Sequence, residues 1–249
     1  MRSATLNGGP VKHQTVFITG GFSTLGRAIS EAMARRNMEL LLHTHTEVGD
    51  KHISFAEHLE TLGAKQVSIF QADFRRPDAI EAMFQQIAEG DHKPDLLINN
   101  AGIFMRKPLE EVSATDLREI FSVNTIGPHV CMVEGRKLGV RHIINLLDIA
   151  WNKSWKNHSA YVASKAALAA MTRIAAVEFA PNVRVNAIAP GLISVPEEMQ
   201  QHYKAVLDRI PMSRKGTPEE VAKVVEFLVD APHYINGEVI NIDGGLSLR

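Results

Sequence analysis

Short apolar runs alternate along this chain with segments whose apolar residues recur at helical spacing. Strands buried on both faces of a parallel sheet are continuously apolar, and each needs a helical crossover to reach the next. The alternation therefore predicts the α/β class, with a single doubly wound parallel sheet of about seven strands and helices on both faces. The predicted strands are Thr15–Thr19, Glu39–His43, Gln66–Phe70, Leu96–Asn99, His142–Leu146, Arg184–Ile188 and Glu238–Ile242.

The segments between these runs have apolar residues at helical spacing. Residues 1–14 are polar and are expected to form a flexible N-terminal arm, and residues 15–249 a single domain. The segment 192–212 has weaker strand signals and two prolines, so it is expected to be a mobile flap over a substrate. The predicted helices are Leu25–Arg36, Ile53–Leu62, Pro77–Ala88, Ala114–Leu138, Ser159–Ala180 and Pro218–Val229.

Composition excludes several classes of function. A formal net charge of −1 provides no basic field for nucleic acid or an anionic membrane. The N-terminus lacks the apolar core of a signal peptide, and no apolar run approaches the ~20 residues that span a bilayer. The single cysteine, Cys131, excludes an intramolecular disulfide and fits a reducing compartment. We therefore expect a soluble cytoplasmic protein that acts on a small molecule.

Metal chemistry is not indicated. The histidines in the second half of the chain, such as His142, His158 and His202, are not spaced as metal ligands. No metal site is therefore expected.

A glycine-bearing turn follows the first predicted strand. Gly20 and Gly21 lie between that strand and the first predicted helix, and Gly26 lies in the first turn of that helix. Glycines let the backbone approach a pyrophosphate, and a helix N-terminus offers unpaired N–H groups to it. This order predicts a phosphate site, although a tight turn without a ligand would leave the same pattern.

Three further motifs follow in a fixed order. Asn99-Asn100-Ala101-Gly102 ends the fourth predicted strand, and Pro190-Gly191-Leu192-Ile193-Ser194 follows the sixth. Tyr161 and Lys165, at i and i+4, share one face of a long predicted helix. With the glycine turn, these motifs resemble the short-chain dehydrogenase/reductase superfamily over nearly all of residues 15–249. Thr24 departs from that pattern, because the family has a glycine there.

The resemblance implies a Rossmann-type fold, a nicotinamide dinucleotide, and a homotetramer joined through the helices 114–138 and 159–180. NADP(H) is slightly favoured over NAD(H), since no acidic residue ends the second predicted strand, although Glu47 lies close by. The residues expected to bind the cofactor are Gly20, Ser23, Thr24, Leu25, Gly26, His43, His45, Thr46, Asp73, Phe74, Asn100, Ala101, Gly102, Tyr161, Lys165, Pro190, Gly191, Ile193 and Ser194.

Tyr161 is the expected proton donor and acceptor. A free tyrosine has a pKa of about 10, and a neighbouring lysine cation favours the phenolate. Asn124 matches the asparagine of the family's catalytic tetrad, with a purely structural asparagine as the alternative. The expected catalytic residues are therefore Tyr161, Lys165, Asn124 and Asp148.

Asp148 is the main departure from the family, because most members have a serine thirteen residues before the tyrosine. An ionised carboxylate repels a developing oxyanion, but it can accept hydrogen bonds from the N–H groups of a heterocycle. Asp148, Phe104, Thr24 and the pair His43/His45 resemble the pteridine reductase and dihydromonapterin reductase branch. Residues expected to contact substrate are Phe104, Asp148, Trp151, Trp155, Tyr161 and Leu192.

The main functional prediction is an NAD(P)H-dependent reductase of a dihydropterin-like heterocycle. Hydride would pass to an imine carbon, and Tyr161 and Asp148 would relay the proton. The first alternative is a carbonyl or alcohol oxidoreductase for an oxoacyl, sugar or steroid-like substrate, with Asp148 replacing the serine. The second is a dinucleotide-binding protein with little catalysis.

Overall fold

The computed structural model describes residues 14–193 and 200–249. Its seven strands are all parallel and lie in the order β3-β2-β1-β4-β5-β6-β7. The order reverses between β1 and β4, so their carboxyl ends form the crevice where doubly wound sheets bind ligands. The strands are β1 (Thr15–Thr19), β2 (Glu39–Thr44), β3 (Gln66–Gln71), β4 (Leu96–Asn99), β5 (His142–Leu146), β6 (Arg184–Pro190) and β7 (Val239–Ile242).

Helices cover both faces of this sheet, which confirms the predicted architecture. Side chains alternate along a strand, so Val16 and Ile18 pack with α1 and α8, whereas Phe17 packs with α3 and α5. The helices are α1 (Thr24–Arg35), α2 (Asp50–Thr61), α3 (Pro77–Glu89), α4 (Ala114–Phe121), α5 (Gly127–Leu138), α6 (Ser159–Glu178), α7 (Gln200–Leu207) and α8 (Pro218–Asp230).

The prediction of one continuous helix over 114–138 is wrong. A π-helical turn, Ser122–Ile126, separates α4 from α5. Pro128 has no N–H group to donate to the carbonyl of Asn124, so the regular ladder loses a bond at this point. The break is centred on Asn124, which places this side chain at the inner surface of the helix pair.

The predicted flap is only partly described, because residues 194–199 lie outside the described ranges, as do residues 1–13 of the expected N-terminal arm. Within the segment predicted as a flap, the structure has the helix α7. Val206 and Leu207 pack from this helix onto a cluster that includes Leu147 and Ile149 after β5. This part of the segment is therefore a packed helix.

The helix α6 bears on the expectation that no segment of the chain is long and apolar enough to span a membrane. By length and composition it could cross a bilayer, with a mean hydropathy of 1.2 over its apolar window. Half of that window is buried within the fold. In this structure α6 packs as a core helix.

Candidate active site

The glycine turn after β1 is closed by backbone packing that only glycine permits. A Cβ atom at Gly26 would lie 2.1 Å from the carbonyl oxygen of Gly20. The Ser23 hydroxyl caps α1 by accepting the Gly26 N–H at 3.1 Å. The side-chain amide of Asn100, just beyond β4, donates to the Gly20 carbonyl at 2.9 Å. The N-terminus of α1 is thereby held against the crevice, as a phosphate site requires.

His43 lies behind this turn and has a structural role. Its Nδ1 accepts the Gly20 N–H at 3.0 Å, and its Nε2 donates to the Ala72 carbonyl at 2.9 Å. Burial lowers the pKa of His43 to about 4, so the ring is neutral near pH 7. The expectation that His43 bonds the cofactor is therefore wrong for its ring nitrogens, because both are already used by the backbone.

A cavity of about 240 Å³ lies beside the turn. His45 and Asp73 line it, and Phe74 forms its inner wall by stacking on His43 at a centroid distance of 4.2 Å. Arg75 bonds Asp73 and holds the pKa of that carboxyl below its usual range. Side chains of the predicted cofactor set thus meet here.

Thr46 does not line this cavity. Its hydroxyl lies 3.1 Å from that of Thr44 and 3.3 Å from Nε2 of His52, on the inner side of the β2–α2 loop. The sequence reasoning did not consider His52, which anchors this loop.

Tyr161 and Asp148 form a direct pair. Asp148 follows β5 and Tyr161 lies in the first turn of α6, and the Tyr161 hydroxyl donates to Oδ2 of Asp148 at 2.9 Å. The other carboxyl oxygen accepts the Ala150 N–H at 2.7 Å. Burial raises the pKa of Asp148, while these hydrogen bonds and the Lys165 charge act in the opposite direction. The aspartate is therefore bonded to the predicted catalytic tyrosine, and it favours protonation more than a free carboxyl does.

Lys165 is buried beside this pair. Its Nζ donates to the carbonyl of Leu146 at 3.0 Å, and burial lowers the pKa of this ammonium to about 8. A Cβ atom at Gly102 would lie 3.4 Å from Lys165 Nζ and 3.3 Å from Asn124 Oδ1. The missing side chain at Gly102 thus leaves open the space above the lysine.

Asn124 connects the π turn to the loop after β4. Its Oδ1 accepts the Ile103 N–H at 2.8 Å, and its Nδ2 donates to the Ile103 carbonyl at 2.9 Å. Nδ2 also donates to the Ser164 hydroxyl on α6 at 3.1 Å. Asn124 therefore positions Gly102 and α6 relative to each other.

A second cavity, of about 920 Å³, contains Tyr161, Asp148 and Lys165. Phe104 lines this cavity and is 52% exposed, and its ring centroid lies 4.8 Å from that of Tyr161.

Trp151 is not among the lining residues, contrary to expectation, because its ring packs under the guanidinium of Arg173 at 4.9 Å. Other predicted residues that line this cavity are Leu25, Trp155, Pro190, Gly191, Leu192 and Ile193. The predicted contact at Ser194 lies outside the described residues.

Sequence reasoning missed the far wall of this cavity. His158 contacts Phe104 and Trp155 through ring pairs at 5.3 and 5.7 Å. Leu246 reaches the cavity from the C-terminal turn, which no local motif could have predicted. Lysines and arginines also lie on this wall, and these are Lys153, Lys156, Arg209 and Arg249.

The two cavities form one elongated cleft that fits a dinucleotide. They share Asn100, Gly102 and Ile103 at the carboxyl end of β4. The first turn of α1, where Ser23 lines the smaller cavity and Leu25 the larger one, can offer N–H groups for a pyrophosphate. Gly102 leaves the space beside Lys165 that a bulky group could occupy. The residues present therefore suit a nicotinamide cofactor.

Comparisons with known proteins agree with this geometry. The family model described as enoyl-(acyl carrier protein) reductase matches residues 20–247. The chain is 32% identical over 244 residues to the 3-oxoacyl-acyl-carrier-protein reductase FabG of Aquifex aeolicus, covering 92% of this chain and 95% of that protein. It is 30% identical over 256 residues to the L-2,3-butanediol dehydrogenase of Corynebacterium glutamicum, covering 94% and 98%.

Solved structures share the fold over nearly the whole chain. One from Beutenbergia cavernae, described as an NAD(P)-dependent gluconate 5-dehydrogenase with NADP bound at low occupancy, has a TM-score of 0.87 and 29% identity, covering 96% of this chain and 99% of that one. Fold, cleft and relatives agree, and the chain belongs to the short-chain dehydrogenase/reductase superfamily and is an NAD(P)-dependent oxidoreductase.

Proposed function

We propose that this protein interconverts a carbonyl and the corresponding alcohol on a small molecule, with NADP(H) as the cofactor. The observation that carries the proposal is the pair formed by the Tyr161 hydroxyl and the Asp148 carboxyl, 2.9 Å apart in the larger cavity. Relatives named for oxoacyl reduction and butanediol oxidation support this chemistry over reduction of a pterin.

Asp148 performs the task of the usual serine in its protonated form. A carboxylic acid can donate a hydrogen bond to a substrate oxygen, which a carboxylate cannot do. Burial raises the pKa of Asp148, and this favours the form that donates. In this protonated form, Asp148 carries no negative charge that would repel the developing oxyanion.

Tyr161 delivers the proton to the substrate oxygen. The cofactor, when bound, supplies the hydride, and the chain's own groups handle the proton. The Lys165 ammonium lies near Tyr161 on the same helix face, and its positive charge favours loss of the phenol proton. Phe104, Trp155 and Leu192 line the cavity as apolar surface, which limits water around the reacting oxygen.

The test compares Asp148→Asn and Asp148→Ser with the wild type, using an acetoacetyl thioester and NADPH. Both new side chains donate hydrogen bonds at every pH, whereas Asp148 donates only when protonated. Wild-type kcat/KM should therefore fall with rising pH as the Asp148 carboxyl, whose pKa is raised by burial, loses its proton. In both variants this fall should disappear, with kcat/KM about tenfold above wild type at the upper end of the pH range.

Dihydrobiopterin serves as the opposing substrate in the same assay. A pterin bound through its N–H groups needs the carboxylate, so both variants should then lose activity and the wild type should gain it with rising pH. That pattern, without thioester turnover, would replace our proposal with the pterin reductase hypothesis. If the protein binds NADPH but turns over neither compound, the result would favour a non-catalytic role.

The proposal of NADP(H) rests on the end of β2, where Thr44 stands instead of an acidic residue, and on the NADP-bound relative. His45 is exposed and lines the smaller cavity, so it can be replaced without disturbing the core. We expect His45→Asp to raise the KM for NADPH about tenfold by repelling the phosphate, and to change that for NADH little. His45→Asn is the matched control, and equal effects on both cofactors would contradict the assignment.

A further inference from the structure

One wall of the larger cavity is cationic. It is formed where three separate parts of the chain meet: the segment after β5, the end of α7 and the C-terminal turn. Lys153 ties two of them together, because its ammonium donates to the backbone oxygens of Ser247 and Arg249. The wall is thus a built feature of the fold, held by contacts distant in sequence.

Two of the basic side chains on this wall have no acidic side chain within ion-pair distance among the described residues. Lys156 and Arg209 are exposed, and across the described residues 14–193 and 200–249 neither side chain forms an ion pair. Asp148 is the one carboxylate side chain among the described residues that line the cavity. It lies at the catalytic end, where Tyr161 and Ala150 already use its oxygens.

Apolar side chains line the same cavity. Leu147 and Ile149 pack with Val206 and Leu246 in one cluster, and all four line the cavity that Tyr161, Asp148 and the basic side chains also line. A ligand that contacts both Tyr161 and the basic side chains therefore also lies against apolar surface. Cations beside a cleft with apolar walls concentrate anions and speed their association.

From this arrangement we infer that the substrate is an anionic ketone: its carbonyl lies at Tyr161, and its carboxylate or phosphate is bound by Lys156 and Arg209 beyond an apolar spacer. This inference rests on the proposed carbonyl chemistry and adds the substrate's charge and shape. Lys153 supports the wall rather than the ligand, since its ammonium already donates to two backbone oxygens.

The experiment uses matched pairs of substrates with the full-length protein and NADPH. Methyl-ketone carboxylic acids of increasing chain length, beginning with levulinate, are compared with their methyl esters, and keto-alkyl phosphates with the parent alcohols. We expect kcat/KM for the anion to exceed that for its neutral partner by at least about tenfold at low salt, and the advantage to shrink as salt rises. The preferred headgroup distinguishes carboxylate from phosphate.

Substitution of Lys156 and Arg209 tests whether these two side chains cause the preference for the anionic substrate. Lys156→Gln combined with Arg209→Gln should remove most of the preference for the anion, because kcat/KM for the acid falls far more than kcat/KM for the ester. Lys137→Gln, an exposed lysine at the end of α5, is the matched control. A double variant that slows both substrates equally, or a wild type without preference, would overturn the inference and leave the carbonyl proposal intact.

Measurements of ligand binding test the anion site independently of the proposed catalytic activity. If no ketone is reduced, calorimetric titration with the longest oxo acid and its ester still tests the wall. Binding of the acid alone, lost in the double variant, would keep the anion site while removing the carbonyl activity. Absence of binding by either compound would overturn the anion site as well.

Discussion

Tyr161→Phe should lower kcat/KM for carbonyl reduction about 10³-fold, because it removes the one hydroxyl placed to transfer the proton. The substitution keeps the ring that packs against Phe104 at a centroid distance of 4.8 Å. It also leaves Asp148 with its bond from the Ala150 N–H. We therefore expect the affinity for NADPH, measured by nucleotide fluorescence, and the thermal midpoint to change little.

Tyr234→Phe is the matched control for this loss. It deletes the same hydroxyl from a tyrosine that is fully exposed, between α8 and β7. Its kinetics should equal those of the wild type. If Tyr161→Phe retained activity within about tenfold of wild type, Asp148 or a water would have to be the proton donor.

The fold was predictable because its strands are nearly continuous apolar runs. β1, β4 and β5 have the predicted bounds, and each is buried along its whole length. The break between α4 and α5 was not predicted, because the apolar periodicity continues across it. Pro128 was the available signal, as a residue that cannot donate a helical hydrogen bond.

The site was predictable where it depends on local motifs. Tyr161, Lys165 and Gly102 come together as the motif order implied. The roles of His43 and Trp151 were not predictable, because they depend on which neighbours use each side chain after folding. The same reason explains why Arg209 was missed: it reaches the cavity from a different part of the chain.

Asp148 shows how a single departure can mislead when its surroundings are unknown. From the sequence, an aspartate implies an ionised acceptor and thus a substrate rich in N–H groups. In the structure, burial raises its pKa and makes a donating carboxylic acid accessible. The burial of Asp148, which the sequence pattern does not report, therefore supports the proposed carbonyl chemistry.

Gly26→Ala should weaken NADPH binding about 100-fold, equivalent to about 2.7 kcal/mol, and also lower stability. The new Cβ would lie 2.1 Å from the Gly20 carbonyl oxygen and 2.9 Å from the Gly21 Cα, both backbone atoms that no rotamer change can move. Relief requires the turn to open, which tilts the first N–H groups of α1 away from the phosphate position. Overpacking of this kind costs about 1–3 kcal/mol.

Gly90→Ala is the control that isolates this effect, because its Cβ would make only an ordinary contact of 3.5 Å with the Ile87 carbonyl at the end of α3. Equilibrium titration with NADPH and thermal unfolding are measured on both variants. Gly90→Ala should match the wild type in affinity. In Gly26→Ala, added NADPH should raise the thermal midpoint less than in the wild type, because stabilisation by a ligand follows its affinity for the folded state. An unchanged NADPH affinity in Gly26→Ala would mean that the phosphates do not bind at this turn, and the cofactor would then have to lie elsewhere along the cleft.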